Sequence, residues 1–248
     1  MMLRRLLLVA LIVACTPPPA SPTPRPSSPS SASPVARTSA PAPTTPAASA
    51  SATPPASPTT VETEDRVDLD GDGKPDTVAL VTAWTEASPD STDSTVRADL
   101  SSGKSLTLSL HDTFDPSLEL VADADGDKRD EIFIRVWLGA STEFWLIVAL
   151  DGDRLVTVRE KDAPDDLRLA VGGSVTHGDG FECTVSPAGV HQFVVHSFQS
   201  TTLTDTVYDW QGKSLVRTGS RVTQFREDMR NDPTFQAYYN ARCGQPIR

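Results

Sequence analysis

Two short acidic loops carry the residues of this chain that are best suited to chemistry. The segment Asp68-Leu-Asp-Gly-Asp-Gly-Lys-Pro-Asp76 recurs as Asp123-Ala-Asp-Gly-Asp-Lys-Arg-Asp-Glu131. Each copy has carboxylates at positions 1, 3, 5 and 9, which would repel one another in the absence of a cation. Oxygen ligands at alternate positions suit Ca²⁺, which accepts about six to eight oxygens in flexible geometry. The spacing therefore predicts two calcium sites.

The predicted ligands follow from position in the loop. In the first loop they are the side chains of Asp68, Asp70, Asp72 and Asp76 and the backbone carbonyl of Lys74. In the second loop they are the side chains of Asp123, Asp125, Asp127 and Glu131 and the backbone carbonyl of Arg129. An EF-hand would need Glu at position 12, where the two copies have Ala79 and Ile134. The loops are therefore interpreted as connections between β-strands, with Lys128 in the place of Gly73 predicting a somewhat distorted second site.

No catalytic motif is present in the sequence. There is no His-Glu-x-x-His zinc motif and no Gly-x-Ser-x-Gly nucleophile elbow. His191 and His196 lie five apart in a strand-like run, so they face opposite sides and cannot share a metal without a bulge. We therefore predict no catalytic residue, although a glycosidase-like carboxylate pair stays open because carboxylates are abundant.

The elements that position the loops are strands. A run rich in β-branched and aromatic residues follows each loop. Glycine turns between strand-like runs come later in the chain, at Gly103, Gly152 and Gly212. The third turn implies a third unit, whose loop 184–192 lacks carboxylates and is expected to bind calcium poorly or not at all. The predicted units are about 61–122, 123–183 and 184–248, with 172–182 as an extra surface loop.

This arrangement resembles the FG-GAP and VCBS repeats, on the strength of the two acidic loops and the strand-like runs that follow them. The resemblance implies an all-β fold of three four-stranded propeller-blade-like repeats, with Ca²⁺ held where one blade joins the next. Propellers typically close with about 4–8 blades, so three imply a partial or unclosed propeller. Asp232, Pro233 and Gly244 further predict a short C-terminal helix over 233–243 that caps the stack.

The first 15 residues have the features of a secretory signal. Arg4 and Arg5 precede an apolar run that ends at Cys15. The stretch Leu11-Ile-Val-Ala-Cys15 resembles the lipobox of bacterial lipoproteins, and this resemblance implies a signal peptide over 1–14 and a lipid on Cys15. The alternative is an ordinary signal peptide with an incidental cysteine. The lipoprotein interpretation predicts anchoring on the outer face of a bacterial cell membrane.

Residues 15–60 are predicted to form a disordered tether. The segment 16–60 holds 14 of the 21 prolines, no glycine and only two charged residues, Arg25 and Arg37. Such a composition buries too little apolar surface to fold. The remaining residues, 61–248, amount to one domain.

The cysteines and the net charge constrain the location and the partners. With Cys15 lipidated, Cys183 and Cys243 remain, and an oxidising location favours a disulfide between them over two buried thiols. The net charge of −11 disfavours nucleic acid, which binds a basic face. The sequence thus predicts a lipid-anchored, calcium-stabilised surface protein that binds a protein or a cell-wall polymer. The alternatives are a carboxylate-dependent surface hydrolase and a purely structural envelope subunit.

Overall fold

The computed structural model describes residues 59–83, 92–174, 176–226, 237–243 and 245–246. The predicted signal peptide, Cys15 and nearly all of the predicted tether lie outside these residues. The regular structure of the described part consists of β-strands and one 3-10 turn, Ala237–Tyr239, which confirms the all-β prediction. None of its sheets closes on itself.

The first sheet is a four-stranded antiparallel meander in the order β1-β2-β3-β4. Its strands are β1 (Thr59–Val67), β2 (Asp76–Ala83), β3 (Thr92–Asp99) and β4 (Ser105–Thr113). The first acidic loop joins β1 to β2, whose pairing begins at Val67 and Asp76. The loop therefore lies at one end of the meander, where its carboxylates can converge.

A second antiparallel meander follows, and the second acidic loop occupies the same place in it. Its strands are β5 (Ser117–Ala122), β6 (Glu131–Leu138), β7 (Thr142–Asp151) and β8 (Arg154–Thr157). The loop joins β5 to β6, which pair at Ala122 and Glu131. The two acidic loops are therefore equally long, since residues 68–75 and 123–130 are the ones that lie outside the paired strands.

The third group of strands begins earlier in the chain than the sequence predicts. After β9 (Arg159–Glu160), the chain forms β10 (Leu169–Ser174), β11 (His177–Val185), β12 (His191–Gln199), β13 (Thr202–Gln211) and β14 (Ser214–Gln224). Strands β11 to β14 form the third antiparallel meander, and β10 links β11 to β7.

The prediction of a surface loop over 172–182 was therefore wrong. These residues complete β10 and supply most of β11. Two glycines of this segment, Gly178 and Gly180, allow close approach of the C-terminal segment. A Cβ atom added to Gly180 would lie 2.4 Å from the backbone oxygen of Tyr238.

The middle meander is buried on both faces. Alternate residues of a strand point to opposite faces, and Ile132 and Ile134 of β6 pack in a core shared with the first meander. Phe133 packs on the other face with Phe181 and Phe193 of the third meander, at ring-centroid distances of 5.4 and 6.5 Å. The three meanders therefore form consecutive layers, and this explains the continuous apolar runs in β6 and β7.

The C-terminal segment joins two layers. Strand β15 (Ala241–Arg242) pairs in parallel with β11, and β16 (Gln245–Pro246) pairs with β5. The Sγ atoms of Cys183 and Cys243 lie 2.01 Å apart, so the predicted disulfide is present. The predicted helix over 233–243 is not confirmed, because its described part consists of a 3-10 turn, Ala237–Tyr239, followed by β15. Residues 233–236 lie outside the described part.

Candidate calcium loops and neighbouring surfaces

The first acidic loop winds around the carboxylate of Asp68. The backbone N–H groups of Gly71 and Gly73 donate to Asp68 Oδ1 and Oδ2, both at 2.9 Å. Both glycines have a positive φ, 74° and 80°, a conformation that glycine adopts at little cost. The Asp-Gly-Asp-Gly sequence thus folds the backbone so that the next acidic side chain, Asp70, lies beside Asp68.

Asp76 fixes both ends of this loop. Its side chain is buried, Oδ2 accepts a hydrogen bond from the N–H of Leu69 at 2.9 Å, and Oδ1 accepts one from the N–H of Ser101 at 2.7 Å. Leu69 is itself fully buried in the first core. The carboxylate therefore ties the loop to the turn that follows β3.

Three of the four predicted carboxylates of the first loop converge. One oxygen each from Asp68, Asp70 and Asp76 lies within 4.8 Å of the other two. Asp72 stands apart, since its Oδ2 accepts hydrogen bonds from Lys74 Nζ at 3.1 Å and Ser101 Oγ at 2.9 Å. Hydrogen bonds from the Lys74 N–H and side chain lower the pKa of Asp72. An all-oxygen set at this spacing fits a hard cation such as Ca²⁺.

The second loop repeats these backbone contacts. Asp123 accepts hydrogen bonds from the N–H groups of Gly126 at 2.8 Å and Lys128 at 3.1 Å, and Glu131 accepts one from the N–H of Ala124 at 2.9 Å. Lys128 has a φ of 71°, in the same left-handed region as the φ of 80° of Gly73 at the corresponding position of the first loop. The expected distortion does not appear in these hydrogen bonds.

The side chains of the second loop differ from those of the first. Oxygens of Asp123, Asp125 and Asp127 lie within 4.8 Å of one another. The ammonium group of Lys213, which belongs to the turn between β13 and β14, donates to Asp125, Asp127 and Glu131. Sequence reasoning placed Lys213 in a turn but gave no sign of this contact. Lys74 and Arg129, whose carbonyls are predicted ligands, lie in the first and the second loop. The backbone N–H of Lys74 donates to Asp72, and that of Arg129 donates to Asp127.

Burial dominates the electrostatics of Glu131. Its side chain is fully buried, and burial raises its pKa to about 7, although hydrogen bonds from Lys213 and the Ala124 N–H oppose the rise. For Lys213, partial burial acts to lower the pKa, but hydrogen bonds to Asp125 and Glu131 raise it well above its ordinary value. We conclude that Lys213 is charged and compensates part of the negative charge of the second loop.

The loops lie side by side along one end of the layers. The N–H of Asp68 donates to Asp130 Oδ2, and the N–H of Asp130 donates to the Asp68 carbonyl, both at 2.8 Å. A Cβ atom added to Gly126 would lie 2.5 Å from the ring of His191, so the first residue of β12 contacts the second loop. The pKa of Asp130 is raised by its burial.

The third connection has a different shape. Thr184 pairs with Gln192, and Val185 with His191, in the ladder between β11 and β12. Only residues 186–190 remain in the turn, which is closed by a hydrogen bond from the N–H of Ser186 to the carbonyl of Val190 at 2.8 Å. Thr184 and Gln192, the two ends of the predicted loop 184–192, are therefore strand residues.

An aromatic surface lies at the opposite end of β6. We call Phe114, Trp137 and Phe144 the aromatic patch. All three are partly exposed, the rings of Phe114 and Trp137 are 5.3 Å apart, and Trp137 pairs with Phe144 in the ladder between β6 and β7. Trp137 and Phe144 line a depression together with Arg168. Trp145, by contrast, is buried in the second core.

A larger cleft of about 590 Å³ lies near this patch and contains two carboxylates, Glu119 and Glu143. Both are paired with Arg135, whose Nη1 lies 3.3 Å from Glu119 and 3.6 Å from Glu143. The indole N–H of Trp145 also donates to Glu143 at 2.9 Å. Glu119 and Glu143 therefore share Arg135 as a counterion and do not face each other as two unpaired carboxylates across the cleft.

His196 lies in a buried polar network. Its Nδ1 is 2.9 Å from Oδ1 of Asp205, which is 1% exposed, and Arg221 Nε donates to Oδ2 of the same carboxylate at 3.0 Å. Asp205 raises the pKa of Arg221. The ring of Tyr238 packs edge-on against His196 at 5.2 Å. The network ties β12, β13 and β14 to the C-terminal segment.

Comparison of the chain with protein-family models, with curated proteins and with solved structures found no match. Among the described residues, no helix has the length and apolar character needed to cross a membrane.

Proposed function

We propose that this chain is a lipid-anchored protein of the bacterial cell surface whose β-scaffold is stabilised by calcium and presents a binding surface for a protein or a cell-wall polymer. The convergence of Asp68, Asp70 and Asp76 is the observation that carries the calcium proposal. The loop lies between two strands and contacts the next loop, so a bound ion would stabilise the junction of two layers. The three meanders support an interpretation as blade-like repeats of an unclosed propeller.

Calcium is expected to stabilise the wild-type protein against unfolding. At a concentration of about one hundred times Kd, a ligand specific for the folded state adds about 2.7 kcal/mol. Asp70→Ala should abolish this gain, because Asp70 contributes one of the three converging oxygens. Thermal and urea unfolding with millimolar Ca²⁺ or with a chelator measures the effect.

The matched control is Asp165→Ala, which removes an exposed carboxylate outside both loops. This variant should retain the full calcium effect. Equal unfolding of the wild-type protein in calcium and in chelator would refute the calcium proposal.

The aromatic patch supports the proposed binding role. Partly exposed aromatic residues beside an arginine are typical of the energetically dominant part of a protein interface. The carboxylates Glu119 and Glu143 are both paired with Arg135, which favours a binding surface over the acid–base pair of a hydrolase.

Replacing Trp137 and Phe144 together by alanine should weaken binding to purified cell-wall material at least about tenfold, since an interface residue of this kind contributes roughly 2 kcal/mol or more. Co-sedimentation measures the bound fraction. Val222→Ala, which removes an apolar side chain that is 61% exposed on β14, is the control and should bind as the wild type does. Unchanged binding by the double variant would exclude the patch as the binding surface.

A further inference from the structure

The ammonium group of Lys213 occupies the centre of the second acidic loop. Its Nζ lies 2.7 Å from Asp125 Oδ2, 2.9 Å from Asp127 Oδ2 and 2.8 Å from Glu131 Oε1. An ammonium has three N–H donors, and each has a carboxylate acceptor here. These acceptors stand at positions 3, 5 and 9 of the loop, three of the four carboxylate positions predicted to bind a metal.

The corresponding lysine contact in the first loop is peripheral. Lys74 belongs to the loop itself, its side chain is 70% exposed, and Asp72 is the one carboxylate of the described residues that its Nζ contacts. The side chain of Lys213 is only 11% exposed and reaches the second loop from another layer. The two loops therefore share a backbone conformation but differ in what neutralises their carboxylates.

Lys213 supplies the compensating positive charge that a bound metal would otherwise supply to these carboxylates. The side chains of Asp125 and Glu131 are 7% and 0% exposed, and buried carboxylates are rarely found without a compensating charge. A metal ion bound by the same oxygens would stand where the ammonium stands. Lys213 and Ca²⁺ therefore cannot bind these three oxygens at the same time.

We propose that Lys213 is the resident cation of the second acidic loop, so that this loop joins the second and third meanders without calcium and only the first loop takes up the ion. The inference rests on the proposed calcium site of the first loop. It changes the expected number of calcium ions from two per chain to one. It also assigns distinct roles to two loops that share the sequence Asp-x-Asp-Gly-Asp and carboxylates at the same positions. The junction at the second loop is independent of calcium, whereas the junction at the first responds to it.

Calcium titration of the purified protein by calorimetry tests this inference. The wild type should bind one ion and Lys213→Met should bind two, because removing the ammonium exposes a complete carboxylate set. Lys104→Met is the matched control. Lys104 has the same place in the turn Gly103-Lys-Ser-Leu106 as Lys213 has in Gly212-Lys-Ser-Leu215, and its Nζ contacts Asp153, outside both loops. This control should still bind one ion.

Substitutions in the wild-type background keep the test independent of how well Lys213→Met folds. Asp70→Asn should abolish binding, and Asp125→Asn should leave one ion bound. Two ions on the wild type, loss of the ion in Asp125→Asn alone, or no added ion on folded Lys213→Met would overturn the inference. If the wild type binds none and Lys213→Met binds one, the role of Lys213 as the cation of the second loop holds and the proposed first site fails.

Discussion

Loss of the Cys183–Cys243 disulfide is expected to lower the free energy of unfolding by about 4 kcal/mol. The bond closes a loop with a sequence separation of 60 residues, and the chain entropy removed from the unfolded state by such a loop corresponds to roughly this value. Both β15 and β16 lie beside Cys243 in the chain. We therefore expect the C-terminal segment to detach first, which would expose β5 and β11 at their edges.

Urea unfolding of Cys183→Ala/Cys243→Ala measures this effect, with Cys15 replaced by serine in every sample so that no other disulfide can form. The wild-type pair treated with a reductant should match the double variant. The same reductant added to the double variant is the control and should change nothing. An unfolding midpoint equal to that of the oxidised protein would contradict a stabilising role.

The strands were predictable because their local patterns are strong. The β-branched and aromatic runs after each acidic loop correspond to β2 and β6, and the Gly103, Gly152 and Gly212 turns connect paired strands. The two loops repeat each other because short-range hydrogen bonds from glycine N–H groups to the first Asp determine their shape. Such contacts span only a few residues and leave a visible sequence signature.

The remaining features depend on contacts between distant segments. Lys213 and Glu131 are separated by 82 residues, and nothing near either residue indicates that they meet. The glycines of 172–182 resemble a loop in isolation, yet Gly180 lies against the backbone of Tyr238 and Asn240 in β-structure. Local propensity cannot distinguish a flexible glycine from one that makes room for another strand.

Asp76 and Asp70 are expected to differ sharply when each is replaced by alanine, although both are predicted calcium ligands. Asp76→Ala should lower the free energy of unfolding by about 2–4 kcal/mol with or without calcium, because it leaves the N–H groups of Leu69 and Ser101 without their acceptor. Without calcium, Asp70→Ala should change the free energy of unfolding by less than about 0.5 kcal/mol, since among the described residues its carboxylate accepts a bond only from the exposed Asp72 N–H.

Urea unfolding of both variants, with millimolar Ca²⁺ and with chelator, separates the two roles. Asp76→Asn provides the conservative control, because it retains one acceptor oxygen and should lie between the wild type and Asp76→Ala. If Asp76→Ala destabilised the protein only when calcium is present, the carboxylate would act as a metal ligand alone. A loss in both conditions would instead show that Asp76 holds the loop in shape before any ion binds, which is what its burial at 1% exposure implies.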